Sequence, residues 1–407
     1  MELATKNLCR GPLDPFSNPA TYRSNTGYLP TKHRLFANQT LAICQPNKDK
    51  CMSWFDPDYV HQLMSGKRRG IFASILRLSL WTLQWPYGIG ARLKNRRYMG
   101  GKNTTKVAVP VISVGNITTG GTGKTPMVAW LARWLRNRDI RVTLISRGYG
   151  AEEGSRNDEA MELELQLPDV PHIQNPDRIE AANIAIDEFE CQVILLDDAF
   201  QHRRIHRDLD IVLIDAVEPF GFGHLLPRGL LREPLSGLKR ADLIVLSRAD
   251  AVNEQRRTEI RHLAQKYSGD TPWLDVIHRP QQLISSSGKS LDFAELQGKS
   301  IAAFCGIGNP EGFRHTLESC NLTPVSLRAF PDHFSYQRDD VETIAEWARE
   351  LHAEVLICTR KDIVKLGVDR IGGVPLWALT IGVEVNDNDL QILEAKLHSI
   401  IESMKVD

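Results

Sequence analysis

Residues 115–126 read Gly-Asn-Ile-Thr-Thr-Gly-Gly-Thr-Gly-Lys-Thr-Pro and follow directly on the apolar run from Val107 to Val114. A buried strand, a glycine-rich turn and a helix start form the arrangement that holds a nucleoside triphosphate. Glycines let backbone N–H groups close around phosphate oxygens, and the helix N-terminus adds its partial positive charge. Lys124 can reach the β- and γ-phosphates, and the Thr125 hydroxyl can hold Mg²⁺. The phosphate loop is therefore expected to run through Thr118, Thr119, Gly120, Gly121, Thr122, Gly123, Lys124 and Thr125. Thr118 stands where the strict pattern has glycine, so the loop is nearer the G-G-x-G-K-[ST] variant. In that variant a lysine often stands where this chain has Thr119.

Val193-Ile-Leu-Leu-Asp197-Asp198 is an apolar run that ends in two carboxylates. A buried strand would deliver them to the edge of the sheet beside the phosphate loop, where Asp197 or Asp198 can support Mg²⁺ directly or through water. Gln201, His202, Arg203, Arg204, His206 and Arg207 follow. They suit either a grip on an anionic acceptor or a solvated loop. Arg147 and Tyr149, in Ser-Arg-Gly-Tyr-Gly, end a second strand and would project over the cleft. Asp158, in Asn157-Asp158-Glu159, fits a general base for a hydroxyl or the cap of a following helix. Arg228 and Arg232 lie in a Gly/Pro-rich loop and could stabilise a transferring phosphoryl group or face water. Asp332-His333 and Thr359-Arg360-Lys361-Asp362 have the same strand-end placement, with Asp362 also suited to cap a helix. Leu246-Ser-Arg-Ala-Asp250 sits where guanine-specific proteins carry Asn-Lys-x-Asp, but Ser247 and Arg248 break that pattern.

These residues need a scaffold that brings strand ends together. Strands are expected at 107–114, 140–146, 192–197, 210–215, 242–247 and 273–278, with helices at 125–138, 177–189 and 252–266. That β-α-β order implies a mostly parallel sheet covered on both faces, with ligands beyond the carboxyl ends of its strands. A smaller alternating unit follows: strand 299–305, helix 311–319, strand 324–330, helix 339–350, strand 354–359. A strand at 375–383 and a helix at 388–403 close the chain. The expected fold is thus an α/β P-loop domain (107–280) with a smaller α/β domain (281–374), a return strand and closing helix (375–407), and a two-stranded hinge formed by strands 272–278 and 375–383.

Residues 1–52 read as a poorly ordered extension, and residues 53–106 as an amino-terminal helical region. Within it, Lys67-Arg-Arg and then Arg92, Lys94, Arg96 and Arg97 flank the apolar stretch from Ile71 to Trp85, which Pro86 is expected to stop. That stretch is short of the roughly 20 residues a membrane span needs. Basic flanks and tryptophans fit a helix lying in an anionic leaflet; the same residues fit an ordinary core helix. The chain has 407 residues with equal numbers of acidic and basic side chains, so no global field draws it to nucleic acid. Seven scattered cysteines without paired spacing fit a reducing compartment. No cleavable signal peptide is evident in the polar first thirty residues.

Taken together, Gly115 to Pro126, Ser146 to Gly150, Asn157-Asp-Glu, Asp197-Asp-Ala-Phe-Gln-His202, Leu231-Arg-Glu-Pro234, Asp332-His333 and Thr359-x-Lys-Asp362 resemble the tetraacyldisaccharide 4′-kinase family, in the family's order, from about residue 70 to 405. The resemblance implies ATP- and Mg²⁺-dependent phosphorylation of the 4′-hydroxyl of an acylated glucosamine disaccharide 1-phosphate, a lipid substrate met peripherally at the cytoplasmic face of the bacterial inner membrane. It implies Asp158 as base with His333 as its partner, and Lys124 and Thr125 serving the phosphates and Mg²⁺. Asp197, Asp198 and Glu233 would be the metal shell or its supports. Arg232 would be catalytic, and Arg147, Tyr149, Asn157, Glu159, Gln201 and His202 would line the substrate site. Three positions depart from the family: Asn157 where glycine is usual, Arg360 where glutamate is usual, and Phe334 where a second histidine is common. The competing readings are a P-loop switch ATPase or GTPase of the partitioning or metal-insertion type, which would hydrolyse nucleotide without an acceptor, and a membrane-peripheral adaptor with a degenerate nucleotide site.

Overall fold

The computed structural model describes residues 57–98, 103–148, 158–332 and 334–404. The expected extension at 1–52, the loop residues Tyr149 and Asn157, and His333 lie outside them, as do the side chains of Asp158 and Glu159.

Two helices lead in, α1 (Pro57–Met64) and α2 (Ile71–Arg96). The P-loop half follows as β1 (Val111–Asn116), α3 (Lys124–Arg136), β2 (Val142–Ser146), α4 (Asp158–Gln166), β3 (His172–Gln174), α5 (Arg178–Phe189), β4 (Val193–Asp197), β5 (Leu209–Asp215), β6 (Leu243–Ser247) and α6 (Glu254–Ser268). The long strand β7 (Trp273–Ile284) and the short β8 (Ser290–Leu291) lead to β9 (Ile301–Cys305), α7 (Pro310–Ser319), β10 (Ser326–Ala329), α8 (Arg338–Glu350), β11 (Val355–Thr359) and α9 (Arg360–Leu366). The chain returns through β12 (Arg370–Ile371), β13 (Val374–Val385) and α10 (Asp387–Ser403).

The strands form one sheet in the order β10-β9-β11-β13-β7-β6-β5-β1-β4-β2-β3, with β12 and β8 paired at its side. Every pairing along that path is parallel except β7 with β13. Strands buried on both faces read as nearly unbroken apolar runs, and alternate residues serve different cores. Ile112, Leu195, Leu213 and Val245 face α3 and α10, whereas Val212, Ile214, Ile244 and Leu246 face α6. Ile194 and Leu196 pack with Ala181 and Ala185 of α5.

β7 does two jobs. Its first residues pair in parallel with β6, and its later ones pair antiparallel with β13, from Val276 opposite Val385 to Ile284 opposite Ala378. The strand therefore runs past the expected end at residue 278. Arg279-Pro280-Gln-Gln reads like a loop, but Pro280 lies opposite the register shift between Leu379 and Ile381, where a missing N–H is tolerated.

The expectation that Pro86 ends its helix is not met: α2 continues through it to Arg96. Proline removes one i→i−4 bond, here to the carbonyl of Thr82. Thr82 is exposed, so water can take that carbonyl. Nor does α2 behave as a core helix. Only Ala73 and Gly88 are buried along it, while Ile71, Ile75, Leu78, Trp85, Ile89 and Leu93 form an exposed apolar stripe. No helix among the described residues is long and apolar enough to cross a membrane.

Candidate active site

β1 lies centrally, between β5 and β4, and its carboxyl end opens into the glycine-rich turn. Gly123 adopts φ 80 and starts α3, a conformation that side chains rarely take. Asn116 and Thr122, both buried, brace the loop from within through an Asn116 Nδ2–H to Thr122 Oγ1 hydrogen bond of 2.9 Å. A second segment braces it from outside. Thr119 N–H donates to Leu230 O at 2.8 Å, and Arg232 N–H to Ile117 O at 2.8 Å, so residues 230–232 run alongside 117–119.

That pairing delivers the Arg232 guanidinium to Asp198. Arg232 Nη1 lies 2.9 Å and 2.8 Å from the two carboxylate oxygens of Asp198, and Lys124 Nζ lies 3.6 Å from Asp198 Oδ1. Burial opposes charge on Asp198, but Lys124 and Arg232 outweigh it and hold its carboxyl below the usual range. Asp197 is buried at the end of β4, level with Val114. Asp198 then turns with φ 49, and Phe200 folds over Gly115, where an added Cβ would come within 2.6 Å of the Phe200 Cβ. The sequence-expected cluster of Lys124, Asp197, Asp198 and Arg232 thus comes together at one strand edge.

Glu233 is committed elsewhere. Arg240 donates to both its oxygens at 3.0 and 3.1 Å, Gln201 Nε2 to one at 3.0 Å and Asn95 Nδ2 to the other at 3.3 Å. Gln201 Nε2 also donates to Asn116 O at 2.7 Å. A buried carboxylate so surrounded ties the phosphate loop, the Arg232 segment and α2 together. Tyr87 adds a second tie from α2, its hydroxyl donating to Arg232 O at 2.8 Å.

His202 lines the same cleft. Burial, then the charges of Arg178 and Arg204, push its pKa down to about 4, so the ring is neutral at pH 7. Arg147 also lines the cleft. Asp158 is the first residue of α4, a helix packed between α3 and α9. Leu163 of α4 and Leu167 just after it join the P-loop core, and Leu165 joins the core of the β9–β11 half. Asp362 acts as a cap: it accepts from the Tyr336 hydroxyl at 2.8 Å and from Gly306 N–H at 3.0 Å, and closes a capping box with Thr359. Phe334 stacks on Phe330 at 4.9 Å between ring centroids. Arg248 pairs bidentately with Asp215, and Asp250 lies in the turn that follows Arg248.

Three participants were not anticipated. Arg178, at the start of α5, is buried in the cleft wall; burial pulls its pKa down to about 10 despite nearby Asp197. Its place after a strand and a capping Asp177 is a signal that could have found it. His278 and Arg240 carry none, because each reaches the site from an element whose position only the sheet order determines.

The cleft of about 2210 Å³ is lined by the phosphate loop, by α2 residues such as Lys94, and by Asn309, Asp332 and Lys361 from the far half. Among the described residues no cluster of three or more His, Cys, Asp or Glu could hold a metal. The oxygen donors present, Thr125 and Asp197 with Asp198 beside them, fit Mg²⁺ held partly by phosphate oxygens, which needs only one or two carboxylates.

The pattern of the family described as tetraacyldisaccharide-1-P 4′-kinase (LpxK) matches residues 76–401. A tetraacyldisaccharide 4′-kinase of Halothermothrix orenii is 38% identical over 77% of this chain and 89% of its own. One from Syntrophus aciditrophicus is 35% identical over 88% of this chain and 99% of its own. Among solved structures, LpxK from Aquifex aeolicus in complex with ATP superposes with a TM-score of 0.64 at 28% identity, over 80% of this chain and 99% of that one. On its phosphate loop, its strand-end carboxylates and these matches, the chain belongs to the tetraacyldisaccharide 4′-kinase family.

Proposed function

We propose that this chain, as an ATP-dependent kinase of lipid A biosynthesis, transfers the γ-phosphoryl group of ATP to the 4′-hydroxyl of an acylated glucosamine disaccharide 1-phosphate, at the cytoplasmic face of the inner membrane. The observation that carries the reading is the convergence of Lys124 and Arg232 on Asp198 at the mouth of the phosphate loop. Both cations are placed to move from that carboxylate to transferring phosphoryl oxygens, where preorganised charge contributes most to catalysis.

Thr125 and Asp197 would hold Mg²⁺, with Asp198 at the edge of its shell; the ion supplies charge neutralisation at the phosphates. Glu233 acts as a support, fixing the backbone that presents Arg232. A sugar hydroxyl does not ionise at pH 7, so Asp158 takes its proton as the new P–O bond forms, with His333 as its partner. Arg147, Tyr149, Asn157, Glu159, Gln201 and His202 shape the acceptor side. The exposed stripe of α2, flanked by Lys67, Arg68, Arg69, Arg92 and Arg96, rests on an anionic leaflet and presents the lipid to the cleft.

The test is incubation with γ-labelled ATP, Mg²⁺ and detergent-dispersed acylated disaccharide 1-phosphate. Label on the lipid at the 4′ position is expected. Free phosphate released without lipid labelling would instead support a switch nucleotidase and overturn the proposal.

A further inference from the structure

Arg207 has neither of the surroundings that its sequence suggests. Its side chain is only 11% exposed, and Arg203 and Arg204 line the cleft where Arg207 does not. Its Nη1 donates to two carbonyls, Ala199 O at 3.2 Å and His202 O at 3.0 Å. Its Nη2 lies 3.2 Å from Asp210 Oδ2. Those two carbonyls begin and end the turn that follows β4, and His202 N–H already closes that turn onto Ala199 O at 2.8 Å. One buried guanidinium therefore clamps both ends of the turn from behind.

Asp210 gives the clamp its footing. It lies early in β5, opposite Ser113 of β1, and is buried. Its backbone N–H donates to Asp242 Oδ2 at 2.9 Å, and Asp242 N–H donates back to Asp210 O at 3.0 Å, so the residue is tied to the start of β6. A carboxylate so fixed dictates where the guanidinium stands, because opposite charges out of water attract strongly at short range.

The turn carries His202 to the cleft wall. Its ring is neutral at pH 7, since burial and the charges of Arg178, Arg204, Lys94 and Arg207 all oppose a proton. No group among the described residues bonds its Nε2. A neutral ring surrounded by cations suits an acceptor that bears hydroxyls and a phosphate. Gln201, its neighbour, is held separately by Asn116 and Glu233.

We propose that Arg207, seated on Asp210, is a positioning residue that fixes the 199–202 turn and thereby places the His202 ring against the acceptor. This rests on the reading that His202 lies on the acceptor side. Because Arg207 acts through His202 and not through the phosphate loop, its loss affects the acceptor and spares ATP.

The experiment uses the full chain. Arg207→Lys keeps a cation beside Asp210 but cannot span both carbonyls. KM for the acylated disaccharide 1-phosphate is expected to rise about tenfold, the scale of one lost charge-assisted hydrogen bond, while KM for ATP stays within about twofold. His202→Ala is expected to raise the same KM. In that background Arg207→Lys should add less than about twofold, since the two residues act as one unit. A pair that only stabilises the fold would change neither KM in folded enzyme, and a disturbed phosphate loop would raise both. Given a rise in His202→Ala, the proposal is overturned by an unchanged acceptor KM in Arg207→Lys, by an equal rise in both KM values, or by full additivity of the two substitutions. NMR titration of the His202 ring in acceptor-free protein gives a readout independent of the lipid. Arg207→Lys conserves the charge, so a midpoint that climbs from about 4 toward the ordinary value of about 6.5 reports a displaced, more hydrated ring and supports positioning. An unmoved midpoint overturns it. Should His202→Ala leave the acceptor KM untouched, the acceptor reading of His202 falls while the titration still decides the role of Arg207. If Arg207→Lys does not fold, Arg207→Met combined with Asp210→Asn leaves no buried charge unpaired and carries the kinetic comparison. Hydrogen exchange at the His202 N–H then replaces the titration: faster exchange supports the clamp, and an unchanged rate overturns it.

Discussion

Replacing Glu233 separates an anchor from a metal ligand. The carboxylate is almost wholly buried, and four N–H donors from Arg240, Gln201 and Asn95 converge on it. The Arg240 side chain is itself only 20% exposed, and its guanidinium lies 4.3 Å over the Phe200 ring. Glu233→Ala therefore leaves a buried cation without its counter-charge, which costs about 3–5 kcal/mol, and it also removes acceptors from Gln201 and Asn95. Glu233→Gln keeps the volume and one acceptor; it should cost less, about 2 kcal/mol, in the range of a charge-assisted hydrogen bond. Denaturant midpoints at constant slope read the loss, and Mg²⁺ titrations of activity are run on the same samples. The expected result is a large fall in midpoint with unchanged Mg²⁺ half-saturation in the folded fraction. An unchanged midpoint with weakened Mg²⁺ dependence would refute the anchor and return Glu233 to the metal shell.

Asp158→Ala is expected to lower turnover by about two to four orders of magnitude while ATP still binds; unchanged turnover in purified enzyme, measured by lipid labelling, would remove Asp158 as base. Ile75→Glu with Leu78→Glu on the exposed face of α2 should weaken binding to anionic vesicles by roughly tenfold or more, since each buried aliphatic side chain is worth about 1.5–3 kcal/mol; sedimentation with vesicles checks this, and equal partitioning of the folded variant counts against a membrane face. Stability should fall with acid below pH 6.5. The unfolded His278 takes a proton near pH 6.5, whereas the folded one resists until about pH 4, so the unfolded chain binds more protons in that window and stability rises with pH across it. At pH 5.5 the penalty is about 1 kcal/mol, with a smaller share from the more open His202; His278→Asn should flatten the midpoint-versus-pH curve from thermal melts, and an unaltered curve would contradict the buried neutral ring.

Much of the P-loop half was legible because a parallel strand buried on both faces must be apolar at every position, and the residue that breaks the run lies at the strand end where ligands bind. Val193 to Asp198 shows both features in six residues. The α4 and α9 helices were harder to read. α4 is short and strongly acidic, and it is held by packing against α3 and α9 rather than by its own amphipathicity. α9 depends on a capping box whose acidic member, Asp362, is also claimed by Tyr336 and Gly306. Pro86 misled for a related reason: its cost is one hydrogen bond, and that cost falls when the orphaned carbonyl faces water.

The site shows the limit more sharply. Lys124 and Asp198 could be paired from spacing because Lys124 begins the helix that follows one central strand and Asp198 comes directly after the end of its neighbour. Glu233 could not be told from a ligand, because its competitor Arg240 comes from a turn whose approach is set by the packing of Leu238 beneath β6. His278 could not be found at all, since its meeting with Gly123 depends on β7 lying next to β6, a neighbour relation written in topology rather than in local sequence. Residues that do chemistry tend to sit where the chain's own punctuation places them. Those that position them arrive from elsewhere in the sheet, and a single-chain reading therefore names the first group and misses the second.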